Sequence, residues 1–228
     1  MKYKNELKKA FQVSIPVMMG YCVLGFAFGL LLVSFKYPWY LAPIMSLFIY
    51  AGALQFVAIN FFNAKAGMID IAIASWFINI RQSFYGLSLL KRFKDTGKFK
   101  VYLIFGLTDE TYALLTTIKD DESLNKRWYY FFLTALNQSY WFIGSTLGAI
   151  IGSNINFNTV GLEFSLTALF VVLCIEQYKN LRNFVPFVIG AVASIFALIF
   201  IPSDKMLIVS IIIALILMFT FKKRVENE

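Results

Sequence analysis

The chain has 228 residues, of which 59% are hydrophobic and only 15% charged, with 21 Lys and Arg against 13 Asp and Glu. Soluble domains average about 25% charged residues, so this composition excludes a soluble enzyme, a disordered chain and a nucleic-acid-binding domain, and leaves an all-α polytopic membrane protein. The net charge of +8 belongs with basic loops that flank membrane spans, not with a nucleic-acid partner.

Lys2, Lys4, Lys8 and Lys9 precede an apolar run from Ala10 to Phe35. That run is too long for the core of a secretory signal, so it predicts an uncleaved first span with residues 1–10 as a basic cytoplasmic N-terminus. Eight apolar segments follow one another at 11–35, 38–63, 69–90, 101–118, 128–152, 160–176, 184–203 and 206–221, with short linkers and a cytoplasmic tail at 222–228. They read as one membrane domain over residues 1–228. A spanning helix needs roughly 20 apolar residues; segments one, two, five and seven meet that without an internal charge. Cys22 and Cys174 lie in separate runs and read as packed thiols. There is no histidine, which removes His-based acid–base chemistry and most zinc sites; no cofactor and no enzymatic activity are expected.

The basic residues test the topology. If all eight segments cross from a cytoplasmic N-terminus, 13 Lys and Arg fall inside and 7 outside, with the Lys91–Lys100 cluster outside. If segments 38–63 and 101–118 are broken or re-entrant helices that each return to their own side, 17 fall inside and 3 outside. The second arrangement fits the positive-inside bias better, and it puts two broken elements on opposite sides of the bilayer, as inverted-repeat carriers do. A single loop that breaks the bias is the other reading.

Polar groups inside the apolar segments are the candidate chemistry, because lipid offers no hydrogen bonds. Tyr50 to Phe56 places Gly52 and Gln55 mid-segment. Gly52 permits a break whose freed amides suit a carboxylate; a packing notch with Gln55 bonded to a neighbouring helix is the alternative. In Asn79 to Ser88, Ser75, Asn79, Gln82 and Gly86 share one face. Arg81, Tyr85 and Ser88 form another, about 200° round from Asn79, which predicts a helix central in the bundle. Arg81 is too far from the loop to reach water and needs a carboxylate. Gly106 to Ala113 carries Asp109 and Glu110: at membrane depth either water reaches them, or Arg81 pairs with one, or one is protonated as proton-relay acids are; otherwise they lie solvated on a cytoplasmic helix. Glu163 opens the sixth segment and either couples protons or sits at the interface beside a helix N-terminus. Gly25 and Gly29, and Gly144, Gly148 and Gly152, form small-residue stripes for close helix packing, within the chain or with a partner.

These blocks, in this order, resemble the AzlC-type family of large subunits of bacterial branched-chain amino acid exporters. The matching residues are Ser14-Ile15-Pro16 with Gly25 to Gly29, Tyr50 to Phe56, Asn79-Ile80-Arg81 with Tyr85 to Leu89, Leu107 to Glu110, and Gly161 to Phe164 with Ala168 to Phe170. The resemblance implies a multi-pass transporter in the bacterial cytoplasmic membrane that exports branched-chain amino acids, driven by protons, in a pair with a small AzlD-type membrane protein. The family usually has His where this chain has Gln82, which shifts any proton role to Asp109, Glu110 or another acid, and often Asp where this chain has Glu163.

On this reading Gly52, Gln55, Phe56, Asn79, Arg81, Gln82 and Tyr85 bind substrate, with Phe56, Trp76 and Tyr85 walling an apolar pocket. Asp109, Glu110 and Glu163 move the proton. The rivals are a passive channel or facilitator, an exporter of a different small amino-acid-like substrate, and a membrane enzyme, for which the sequence offers no nucleophile–base pair.

Overall fold

A computed structural model describes residues 3–117, 124–155, 183–202 and 206–220, with isolated positions at 164, 171, 174, 175, 178 and 179. All regular structure among the described residues is helical: α1 (Lys4–Ser34), α2 (Leu41–Phe48), α3 (Gly52–Asn63), α4 (Met68–Leu89), a short 3-10 turn (Lys94–Thr96), α5 (Phe99–Phe105), α6 (Asp109–Thr117), α7 (Lys126–Asn154), and two later helices designated α8 (Val185–Phe200) and α9 (Met206–Thr220). Contacts divide the chain into two compact units. One is Met1–Ile59 with Asn79–Leu162; the other is Asn60–Ile78 with Glu163–Glu228.

The frame of the first unit is the pair α1 and α7. The two glycine stripes pack on each other: a Cβ on Gly25 would stand 3.0 Å from the Ser145 amide, and one on Gly144 would stand 2.8 Å from the Cys22 carbonyl. A Cβ on Gly29 or Gly148 would run into the partner helix's backbone. The stripes therefore serve this chain's own helices, and the backbones come close because nothing stands between them. Ser14 Oγ and Tyr140 Oη, 3.0 Å apart, add a buried polar tie. A second core forms where the end of α4, α5 and α6 meet α7, with Leu89, Phe93, Leu103, Leu107, Leu115, Tyr130 and Leu133 buried together.

Residues 4–10 form the first turns of α1. Helix α1 starts at Lys4, because Lys, Glu, Leu and Ala are good helix formers, and the buried Glu6 accepts a hydrogen bond from the Asn125 amide at 3.1 Å. Asn125 in turn caps α7, its Oδ1 accepting from the Trp128 amide at 3.4 Å.

Two of the apolar segments are each divided between two helices. Segment 38–63 breaks at Ile49–Ala51, between α2 and α3, and segment 101–118 breaks at Gly106–Thr108, between α5 and α6. At 8 and 12 residues, α2 and α3 are each too short to cross about 30 Å of hydrocarbon at 1.5 Å per residue. Helix α8 is also shorter than expected, at 16 residues. Among the described residues α1 is the one helix long and apolar enough to cross a bilayer on length and composition alone.

The first break falls directly before Gly52, where a break was expected. The residue in left-handed conformation is Tyr50, at φ 41°, while Gly52 begins α3. Its lack of a side chain matters for packing instead: a Cβ there would stand 3.0 Å from the Trp141 ring.

Helix α4 is not enclosed on all sides, contrary to the expectation that two polar faces make it central. Ile80, Phe84 and Leu87 lie along one exposed side of its first-unit half, Phe84 and Leu87 each at 63%. The two polar faces leave an apolar sector of about 180° between Asn79 and Ser88 at 100° per residue. In the second unit, α8 and α9 pack on each other, and α8 buries Ile189, Ala193 and Ala197 along one stripe. Its remaining large side chains, among them Val192, Ile195, Leu198 and Ile199, are exposed. Cys22 and Cys174 are free thiols; Cys22 is half-buried, but Cys174 is exposed rather than packed.

Candidate functional site

Helix α6 starts at the second break. Thr108 stands at its N-cap, with Oγ1 accepting from the Thr111 amide at 3.3 Å, the pattern by which a hydroxyl satisfies a free N–H of the first turn. Asp109 and Glu110 are then the first two helical residues, where carboxylates suit the positive end of the helix. Being adjacent on a helix, their side chains diverge by about 100°, and they enter two different environments.

Asp109 meets Arg81 of α4. Arg81 Nη2 and Asp109 Oδ2 are 2.8 Å apart, and each side chain is 31% exposed. The pair uses one atom of each group. Arg81 Nε and Asp109 Oδ1 are both buried and make no hydrogen bond among the described residues. A planar guanidinium and a carboxylate can pair through two parallel bonds; here Arg81 Nε and Asp109 Oδ1 stay outside the pairing, and the Tyr85 hydroxyl stands beside the Asp109 carboxylate. Tyr85 flanks the pair, its ring stacked on Tyr112 of α6 with centroids 4.3 Å apart. Ser88 Oγ donates to Tyr112 Oη at 3.3 Å.

Glu110 turns toward α1. Tyr21 Oη donates to Glu110 Oε2 at 2.5 Å and lies 2.7 Å from Thr108 Oγ1. The polar chain continues inward: Thr108 Oγ1 donates to Thr111 Oγ1 at 3.1 Å, which also accepts from Asn137 Nδ2 of α7 at 3.0 Å. Tyr50 from the first break, 3% exposed, lies within electrostatic reach of Glu110 and beside Tyr21 and Thr108, and among the described residues its hydroxyl completes no hydrogen bond of good geometry. The ring of Tyr50 is 6.5 Å from that of Phe105, so the two helix breaks face one another at this cluster.

The remaining predicted residues are placed as follows. Gln55 is fully buried, with Oε1 accepting from Trp141 Nε1 at 2.8 Å and Nε2 donating to Ser46 Oγ at 3.4 Å. It ties the first break to α7, in the manner of the packing alternative. Trp141 packs edge-on against Tyr21, with centroids 5.4 Å apart, which connects Gln55 to the Glu110 cluster. Phe56 is 1% exposed and packs in the core against Phe28, with centroids 5.5 Å apart. Trp76 is 66% exposed and belongs to the second unit. Asn79 and Gln82 are half-exposed. Glu163 lies outside the described residues.

Four residues of the site were not singled out from the sequence: Tyr21, Thr111, Asn137 and Gln138. Gln138 Nε2 donates to the Leu47 carbonyl at 3.3 Å, and its Oε1 accepts from Tyr102 Oη at 2.7 Å. It thereby takes up a carbonyl that the end of α2 leaves without an intrahelical donor. The signal was available. Each is a polar group inside an apolar run, the criterion that picked out Gln55 and Arg81.

Apolar side chains facing outward along the helices, with an ion pair, hydroxyls and amides gathered at helix breaks inside, are the build of an integral membrane protein. The particular family follows from comparison. The profile of the AzlC protein family matches residues 16–155. An "Uncharacterized membrane protein" of Helicobacter pylori strain 26695 is 39% identical over 99% of both chains. The "Branched-chain amino acid transport protein AzlC" of Bacillus subtilis is 35% identical over 96% of this chain and 87% of its own. The "Inner membrane protein YgaZ" of Escherichia coli is 28% identical over 75% of this chain and 72% of its own. This chain belongs to the AzlC family. No solved structure matches it.

Proposed function

We propose that the chain is the large subunit of a secondary carrier that exports branched-chain and other hydrophobic amino acids across the bacterial cytoplasmic membrane. It is multi-pass with its N-terminus in the cytoplasm, exchanges substrate for protons, and works with a small AzlD-type membrane protein. The observation that carries this reading is the half-used ion pair. Arg81 Nε and Asp109 Oδ1 are buried, unpartnered and adjacent to a 2.8 Å charge contact. An amino acid is a zwitterion: its carboxylate complements the guanidinium, and its ammonium complements the carboxylate. A substrate that engages both takes over the internal pairing, so neither charge is left bare at membrane depth. Tyr85, stacked on Tyr112, offers an aromatic wall for the substrate side chain. The transport name of the Bacillus subtilis relative supports the substrate class.

The test is release of radiolabelled leucine from loaded membrane vesicles that carry the full chain with its neighbouring small subunit. The expected result is uphill movement under an imposed pH gradient, lost in Arg81→Lys and Asp109→Asn. Arg81→Lys is a severe change because a point charge cannot reproduce the planar fork. Leucine that only equilibrates, whatever the gradient, would establish a facilitator and discard the coupled carrier.

A further inference from the structure

We propose that Glu110 carries the coupling proton, positioned by Tyr21, while its neighbour Asp109 stays ionised, paired with Arg81 or with the substrate's ammonium. This rests on the transport reading above and assigns the step that reading leaves shared between two acids.

The two carboxylates differ in what faces them. Asp109 has a guanidinium at 2.8 Å, so protonating it would strip Arg81 of its counter-charge in a poorly solvated place. Among the described residues Glu110 has no cation against it. Its neighbours are Tyr21 Oη from α1 at 2.5 Å, Thr108 at the helix cap, Tyr50 from the first break, and the charge of Asp109 on its own helix. From α7 the cluster receives two neutral groups, Asn137 by way of Thr111 and the Trp141 ring against Tyr21. A carboxyl held by hydroxyls changes its protonation without abandoning an ion pair, because each hydroxyl accepts as readily as it donates.

Independent of Glu110 itself, the cage has spare capacity. Asn137 Oδ1 is buried and, among the described residues, makes no hydrogen bond, and Tyr50 Oη, beside Tyr21 and Thr108, completes none of good geometry. When Glu110 is ionised, Tyr21 donates to it. When it is protonated, its new O–H needs an acceptor, and Tyr21 Oη, already 2.5 Å away, can take that role by turning its own proton to Thr108 Oγ1 at 2.7 Å. One proton enters from water on one side of the membrane and returns to water on the other; no electrons move and no covalent bond between heavy atoms changes. The amino acid travels on Arg81 and Asp109, one residue away, which is close enough for each event to sense the other.

Two measurements decide the matter. Wild-type vesicles are treated with a hydrophobic carbodiimide, which modifies protonated carboxyls in membranes, and the adduct is mapped by mass spectrometry; the label is expected on Glu110 and absent in Glu110→Gln. In transport, Glu110→Gln should lower pH-gradient-driven leucine accumulation by about tenfold or more and leucine–leucine exchange at equal pH by less than about threefold, whereas Asp109→Asn should abolish both. Tyr21→Phe should displace the pH profile of accumulation and spare exchange. Label on Asp109 instead, or a Glu110→Gln protein that still follows the gradient, overturns the assignment. Wild-type vesicles that neither exchange nor accumulate leucine would refute the transport reading, and the mapped label would still decide the Glu110 assignment.

Discussion

Arg81 and Asp109 are each worth more to the protein as a pair than either is alone. Removing one leaves the other charge partly shut away from water, whereas removing both leaves only a gap. Arg81→Ala should therefore lower thermal stability in detergent by more than the double change Arg81→Ala/Asp109→Ala does, with the single change costing about 1–3 kcal/mol after allowance for the exposed third of each side chain. A double change that is at least as damaging as the single one would show that the pair is not the partnership described here. Arg81 was recognisable as a residue in need of an acid. Which of two adjacent acids would answer was not recognisable, because the choice depends on a 100° turn around α6 and on where α4 lies.

At the scale of elements, the close approach of α1 and α7 sets the position of Tyr21 and Asn137, and through them of Glu110. The approach depends on glycine at places where a Cβ would meet backbone, which cannot move aside as a side chain can. Gly148→Val should destabilise the detergent-solubilised protein by about 1–3 kcal/mol or more, as overpacking does, and lower the yield of folded protein. Gly20, on the same helix α1, has nothing within 4 Å of an added Cβ, so Gly20→Ala should leave the melting temperature unchanged. Equal effects from the two would remove the packing role. The stripes themselves were plain in the sequence; that each is the other's partner was not, since they are separated by more than a hundred residues and either could have served a second subunit. The helix breaks were half legible. Gly52 and Gly106 marked their neighbourhoods, but the turn at the first falls on Tyr50, where no residue preference announces it.

For the whole molecule the charge distribution makes a topological prediction. With segments 38–63 and 101–118 each returning to its own side, a cysteine introduced at Lys65 should react with a membrane-impermeant maleimide added outside intact cells, and one introduced at Lys98 should react only after permeabilisation, in a background with Cys22 and Cys174 replaced. Labelling of Lys98→Cys from outside would restore eight simple crossings. The sequence alone determined that the chain is apolar and helical, that it belongs among AzlC-type proteins, and that a few polar groups must find partners away from water. Composition and short blocks suffice for that, because solvation and helix formation are local properties. The tertiary structure decided who pairs with whom: Asp109 with Arg81, Glu110 with Tyr21, Gln55 with Trp141, and glycine stripe with glycine stripe. Those contacts join residues 28 to 122 positions apart, and no local preference carries information over such distances; only the packing of the helices brings the groups within bonding range.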